Sequence, residues 1–322
     1  MRSVLFALMI LGFSPAHGAE RVWLDYDLTW GKKIVEVDDG LSLISAATST
    51  SLDLVGLSYG FGNTDNLAHM HEQTLRILRK INREDLNSYA GARSKSDLGK
   101  ETAATQALAK ALRTGPLKIM AIGRMTNVAS TILLYPELKK NIQEVVVNFG
   151  RRLEYEVGVG RKKHIMPDTN VDDDLASVKV LIDAKVNLTL IPTELMFDQF
   201  IDKRRLRSLK QGGIISRWIS REVKWWRKIW TIFPGTPGFI PWDVFVIGYL
   251  TNPEDFNCLE KIRISVKTLP NHSSRILPFR SRPPFKEFVV ASHVLSEGVE
   301  GKYCYDVSDS HLDLWTEHWR NL

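Results

Sequence analysis

Apolar positions fall into short solid runs separated by longer amphipathic stretches, and the two kinds of segment alternate along most of the chain. Val22 to Asp27 is a compact apolar run that ends in carboxylates and predicts a short buried strand. Asp38 and Asp39 then open a helix over Gly40 to Ala47, where acids complement the positive helix N-terminus. Leu54 to Tyr59 predicts a second strand, followed by Gly60-Phe61-Gly62-Asn63 and a helix to about Ile81. Ser88 to Ala90 is a weak strand, and the next helix covers roughly Glu101 to Leu112. Leu117 to Ile122 and Val145 to Val147 read as strands, with a helix from near Asn127 between them. A helix over about Asp174 to Ala184 leads to a strand at Leu188 to Ile191. From Ile201 to Phe233 the pattern is helical, basic and tryptophan-rich, and a further helix starts at Trp242-Asp243. Beyond Cys258 a few strands and loops and a last short helix are expected.

Strands alternating with helices through short connections imply an α/β fold with a mainly parallel central sheet flanked by helices. Ligands of such sheets sit at the carboxyl ends of the strands. Asp27, Asn63, Ile122 and the segment after Val147 all fall at such ends, so distant motifs are expected to meet on one rim.

Composition sets the scale. With 322 residues, 44% of them hydrophobic, the chain can build one large core, and no internal repeat or polar linker divides it. Residues 1–19 read as a signal peptide: Arg2 supplies the positive start, Val4 to Phe13 the apolar stretch, and Ala16 to Ala19 the small residues for cleavage. The remaining 20–322 is expected to be one catalytic domain, periplasmic or secreted, with no stable membrane anchor. In an oxidising compartment Cys258 and Cys304 can pair, with two free buried thiols as the alternative. The net charge of +6 changes little, because basic residues scatter while acidic ones gather at a few places. No nucleic-acid partner is required, and a homo-oligomer stays open.

Those acidic places carry the candidate chemistry. Asp25, Asp27, Asp38 and Asp39 converge on one strand–loop–helix junction. Close like charges are costly unless a cation balances them, and oxygen-only donors favour calcium or magnesium. A solvated acidic turn that caps a helix is the other reading. Asp168-Thr169-Asn170 precedes a helix and offers polar groups for hydroxyls, whereas Asp172 and Asp173 read as solvent-facing acids of the helix start. Asp243, beside Trp242, is an isolated acid before an apolar helix. His69, His71 and Glu72 lack metal-site spacing and read as structural or solvent-facing.

In order and spacing these pieces resemble the inosine–uridine-preferring nucleoside hydrolase family. The strand LDYD followed by EVDDGLSLISA matches the family's opening D-x-D and D-D motif. Gly62-Asn63, the turn AIGRMTNVA from Ala121 to Ala129, Asn148-Phe149-Gly150, DTNVDDDLASV and Trp242-Asp243 follow in the family's order, so the resemblance runs from about Val22 to Phe256. It implies that Asp27, Asp39 and Asp243 bind Ca²⁺ through carboxylates and Ile122 through its main-chain carbonyl. It further implies that Asp38, Asp168 and Asn170 hold ribose hydroxyls, with Asn63 lining the pocket. Asp27 is then the general base that takes a proton from a Ca²⁺-bound water, which attacks C1′ of a nucleoside.

Four departures stand out. The loop from Leu28 to Val37 is seven residues longer than the family spacing. Asp168 replaces a glutamate, and Arg124 and Met125 replace proline and leucine. Trp242 stands where many members carry the histidine that protonates the leaving base. Tryptophan there also occurs in purine-preferring relatives, where stacking can raise the basicity of the purine, so Trp242 points to inosine, guanosine or adenosine, with a purely packing role as the alternative. Two rival readings remain: a non-catalytic nucleoside- or sugar-binding protein on the same fold, and a basic protein that docks on surfaces through its tryptophan helix.

Overall fold

The computed structural model describes residues 18–153, 155, 156, 158–161, 163–272 and 283–322. Most of the expected signal peptide therefore lies outside the described residues. The chain begins β1 (Glu20–Tyr26), α1 (Asp38–Thr48), β2 (Leu52–Tyr59), α2 (Leu67–Lys80), β3 (Ser88–Ala90), α3 (Ala103–Arg113), β4 (Leu117–Ala121), α4 (Thr126–Leu134) and β5 (Ile142–Val147). Three two-residue strands follow, β6 (Arg151–Arg152), β7 (Gly158–Val159) and β8 (His164–Ile165), then α5 (Thr169–Asp172), α6 (Leu175–Asp183) and β9 (Leu188–Leu190). The chain closes with α7 (Lys203–Gln211), α8 (Ile214–Ile232), α9 (Val244–Thr251), β10 (Phe256–Pro270), β11 (Phe285–Ser292), β12 (Val299–Val307) and α10 (His311–Asn321).

Ten strands form one sheet in the order β3-β2-β1-β4-β5-β9-β12-β10-β11-β6. From β3 to β12 every neighbour is parallel, while β10 runs antiparallel to both β12 and β11. The expected parallel α/β sheet is present, and it is extended by a mixed edge. Within β10 the buried positions are irregularly spaced and the register slips twice against β12. That irregularity is why the sequence beyond Cys258 shows only a blurred strand signal.

Central strands are apolar on both faces because helices cover both. Val22, Leu24 and Tyr26 of β1 point to a core shared with α1, α2, α8, α9 and α10. Trp23, between them, points to the opposite core with α3, α4 and α6. Each large side chain buried this way contributes roughly 1.5–3 kcal/mol. The tryptophan-rich segment splits at Gly212-Gly213 into α7 and α8. Trp218 and Trp230 of α8 are buried, and only Trp225 stands well exposed, with the Lys228 ammonium 4.4 Å from its ring centre. The helix is thus mainly a packing element, basic on its wet face. Cys258 and Cys304 form a disulfide across the β10–β12 pair. Among the described residues no helix is long and apolar enough to cross a membrane.

Candidate active site

Asp25 lies within β1, and Asp27 lies just past its end, so the two acids meet different partners. Asp25 shares the Trp23 face, accepts from Ser58 Oγ, and accepts from Asn127 Nδ2 at 2.9 Å. It is 1% exposed, and burial pushes its carboxyl up to about 7. The four acids that the sequence groups together therefore separate: Asp25 bolts β1 to β2 and α4 from within the core. Asp27, one residue beyond the strand, sits at its carboxyl end.

Asp27 is fixed by the turn after β2. Asn63 donates its backbone N–H to Asp27 Oδ2 at 3.0 Å and its amide to Asp27 Oδ1 at 3.3 Å and Asp39 Oδ2 at 3.2 Å. Gly62 makes this approach possible, since a Cβ there would lie 1.7 Å from Asp27 Oδ2. Asp27 N–H in turn donates to Asp39 Oδ1 at 3.1 Å. Asp38 and Asp39 open α1, so the helix N-terminus faces their charge. From the other half of the chain Asp243 precedes α9 and accepts from Asn148 Nδ2 at 2.9 Å.

Carboxylate oxygens of Asp38, Asp39 and Asp243 all lie within 4.8 Å of one another, and all three residues are buried. Asp38 Oδ1 has no hydrogen-bond partner among the described residues. Burial is the main cause that raises all three well above the ordinary carboxylate range. Their neighbours add to it, chiefly Glu36 for Asp38 and Asp243, and Asp27 for Asp39. An enclosed, oxygen-only donor set with an unspent lone pair fits a hard divalent cation such as Ca²⁺ or Mg²⁺. Asp38, Asp39 and Asp243 are the residues that would hold it.

Of the remaining expected site residues, Asn170 is linked to Asp27 through Arg124, while Ile122 and Asp168 are held by other partners. The Ile122 carbonyl, just past β4, accepts from Asn170 Nδ2 at 3.0 Å. Asp168 caps α5 and accepts from Gly150 N–H at 2.8 Å; burial pushes it to about 7. A cleft lined by Gly150, Met166 and Glu194, among others, includes Asp168 but none of the acidic trio. Trp242, next to Asp243, stands 5.9 Å from Trp230 between ring centres, and Trp226 follows at 6.3 Å.

Two site groups escape the sequence reading. Glu36, at the end of the lengthened loop, interacts with Asn63 and Asp38; loss of hydration pushes it up to about 7, aided by Asp27 and opposed by Arg124. Arg124 is buried, donates from Nη1 to Asp27 Oδ2, and also reaches Asn170 Oδ1 at 3.1 Å and Asp173 Oδ2 at 2.9 Å. Burial raises the Asp27 carboxyl, and the Arg124 charge partly offsets that rise. The expectation that Asp172 and Asp173 merely face solvent is corrected: Asp173 holds Arg124, and Asp172 holds Lys286 at 2.6 Å. A helix-start pattern cannot reveal partners that come from distant segments. Arg124 carried a signal as a departure from the turn motif, whereas nothing but loop length pointed to Glu36.

Residues 22–277 match the sequence profile of the inosine-uridine preferring nucleoside hydrolases. The chain belongs to that family. The fold agrees across the whole domain. A plant nucleoside hydrolase superposes with a TM-score of 0.72 at 14% identity, covering 94% of this chain and 99% of its own. A purine-preferring ribonucleoside hydrolase from Gardnerella vaginalis gives 0.70 at 16%, covering 94% and 98%. An inosine-uridine preferring nucleoside hydrolase from Bacillus anthracis gives 0.66 at 16%, covering 94% and 100%. No curated protein sequence matches the chain. This nucleoside hydrolase family member shares the fold of these enzymes at 14–16% identity.

Proposed function

We propose that this hydrolase cleaves the N-glycosidic bond of ribonucleosides, purine ribosides first, to free base and ribose, outside the cytoplasm. The buried trio of Asp38, Asp39 and Asp243, set beside Asp27 at the strand ends, carries the reading. Asp38, Asp39 and Asp243 would hold a divalent cation, Ca²⁺ by family analogy, whose charge would acidify an attacking water. Asp27 takes the proton as general base. Asn63 keeps both oxygens of Asp27 oriented, so the base does not have to find its position during the reaction. By the family resemblance, Asp38, Asp168 and Asn170 would hold the ribose hydroxyls. The crowded carboxylates stabilise the positive charge that develops on the ribosyl carbon. Trp242, backed by Trp230, offers the departing base an aromatic face, which suits the wider purine.

The Arg124–Asp27 contact favours a second reading, because it engages a lone pair that a general base needs. That reading is a nucleoside- or sugar-binding protein without turnover. One assay separates the two. Purified protein with calcium is given inosine, guanosine, adenosine and uridine, and released reducing sugar is measured beside riboside binding. The hydrolase reading expects purine turnover, loss of activity in chelator, and a fall in kcat of about 10²–10⁴ in Asp27→Asn with binding retained. Binding of ribosides without release of sugar would sink it.

A further inference from the structure

Arg124 and Asn170 together engage Asp27, which is hydrogen-bonded to Asp39 of the acidic trio, and the Ile122 carbonyl just past β4. Arg124 Nη1 donates to Asp27, and Asn170 Nδ2 covers the Ile122 carbonyl at 3.0 Å. The two are also tied to each other, Arg124 Nη1 to Asn170 Oδ1 at 3.1 Å. The other end of the guanidinium rests on Asp173 at 2.9 Å. Its side chain is only 4% exposed, as is the Asp27 side chain at 3%, whereas Asp173 is 35% exposed. A fork of this kind can trade one carboxylate for another without becoming an unpaired buried charge. Arg124 Nε is buried with no acceptor among the described residues, so the group has a donor to spare for such a shift.

We propose that Arg124 is a resident counter-cation of the acidic centre that competes with the divalent ion for Asp27. The inference rests on reading the trio as a cation site. Before the ion arrives, Arg124 balances Asp27. The ion enters on Asp38, Asp39 and Asp243, and Asp27 becomes available to it, or to an attacking water, only as Arg124 withdraws toward Asp173. Arg124 therefore acts as a positioning residue, and it lowers the affinity for the ion. Both consequences follow from charge: two cations cannot share one buried carboxylate without repulsion.

Calcium affinity tests this directly. Chelator-stripped full-length protein is titrated with calcium chloride in a calorimeter, for wild type, Arg124→Gln and Arg124→Lys, after circular dichroism has checked that each is folded. Glutamine keeps hydrogen-bond donors and removes the charge; lysine keeps the charge and removes the fork. Arg124→Gln should bind calcium at least about tenfold tighter, equivalent to 1.4 kcal/mol, while Arg124→Lys stays within about threefold of wild type. Equal or weaker binding by Arg124→Gln overturns the proposal. So does equal tightening in both variants, which would trace the effect to altered packing. If none of the three proteins takes up calcium at millimolar concentration, the cation reading of the trio itself falls, and that result is distinguishable from the other two.

Discussion

Asp25→Asn offers a sharp test of the division between core and site. Asp25 is essentially buried, and its carboxyl is held near 7 by lost hydration, although Ser58 and Asn127 both donate to it. An aspartate in the unfolded chain titrates near 4. The folded pKa is therefore higher, so the folded state binds the extra proton between those values. Stability on this account is full below about pH 4 and falls as pH rises toward 7, where the group must ionise inside the core. About three pH units at 1.36 kcal/mol each give a penalty of about 4 kcal/mol above neutrality. Asparagine keeps an acceptor for Ser58 and Asn127 and carries no charge. Urea unfolding followed by tryptophan fluorescence, in chelator, should show the variant more stable at pH 8 by up to about 4 kcal/mol and near wild type at pH 4. Calcium uptake should persist, because Asp25 is not one of the three clustered acids. An unchanged pH slope, or a variant that is less stable at pH 8, would show that Asp25 is not the buried acid described; lost calcium binding would return it to the site.

Two other perturbations have defined outcomes. Replacing Cys258 and Cys304 by serine opens a loop with a sequence separation of 46. The chain-entropy relation gives a loss of about 4 kcal/mol, to be read as a lower urea midpoint while riboside turnover at low temperature is retained. Gly62→Ala would press a methyl group onto Asp27, since the added Cβ falls 1.7 Å from its Oδ2. Turnover should drop by at least about a hundredfold, consistent with displacement of a general base; activity within a few fold of wild type would mean that the turn yields and that Asp27 does not depend on it.

The order of elements was legible because each central strand is a short apolar run, and each following helix opens with recognisable polar residues. The meeting of Asp27 and Asn63 was legible for a different reason, whereas Asp243 joined them only through the family resemblance. A parallel sheet sends successive strand ends to one rim, so residues remote in sequence converge by topology alone. Side-chain direction was legible only in part. A D-x-D spacing by itself suggests that Asp25 and Asp27 act as a pair, because residues two apart on a strand normally share a face. Here Asp27 lies past the last strand residue, and the strand rule stops applying to it. Glu36 and Arg124 depend on still longer-range facts. One arrives on a loop whose path has no periodicity, and the other acquires its meaning only when Asp27 and Asp173, on different segments, come within reach of a single guanidinium. Charge balance explains why such a group is present. Asp27, Asp38, Asp39 and Asp243 together are too many negative charges to bury without a counter-charge. On the proposal that the trio takes a divalent ion, a chain that carries one cation itself balances Asp27 while the ion is not bound, and the consequence is competition at the same carboxylate afterwards.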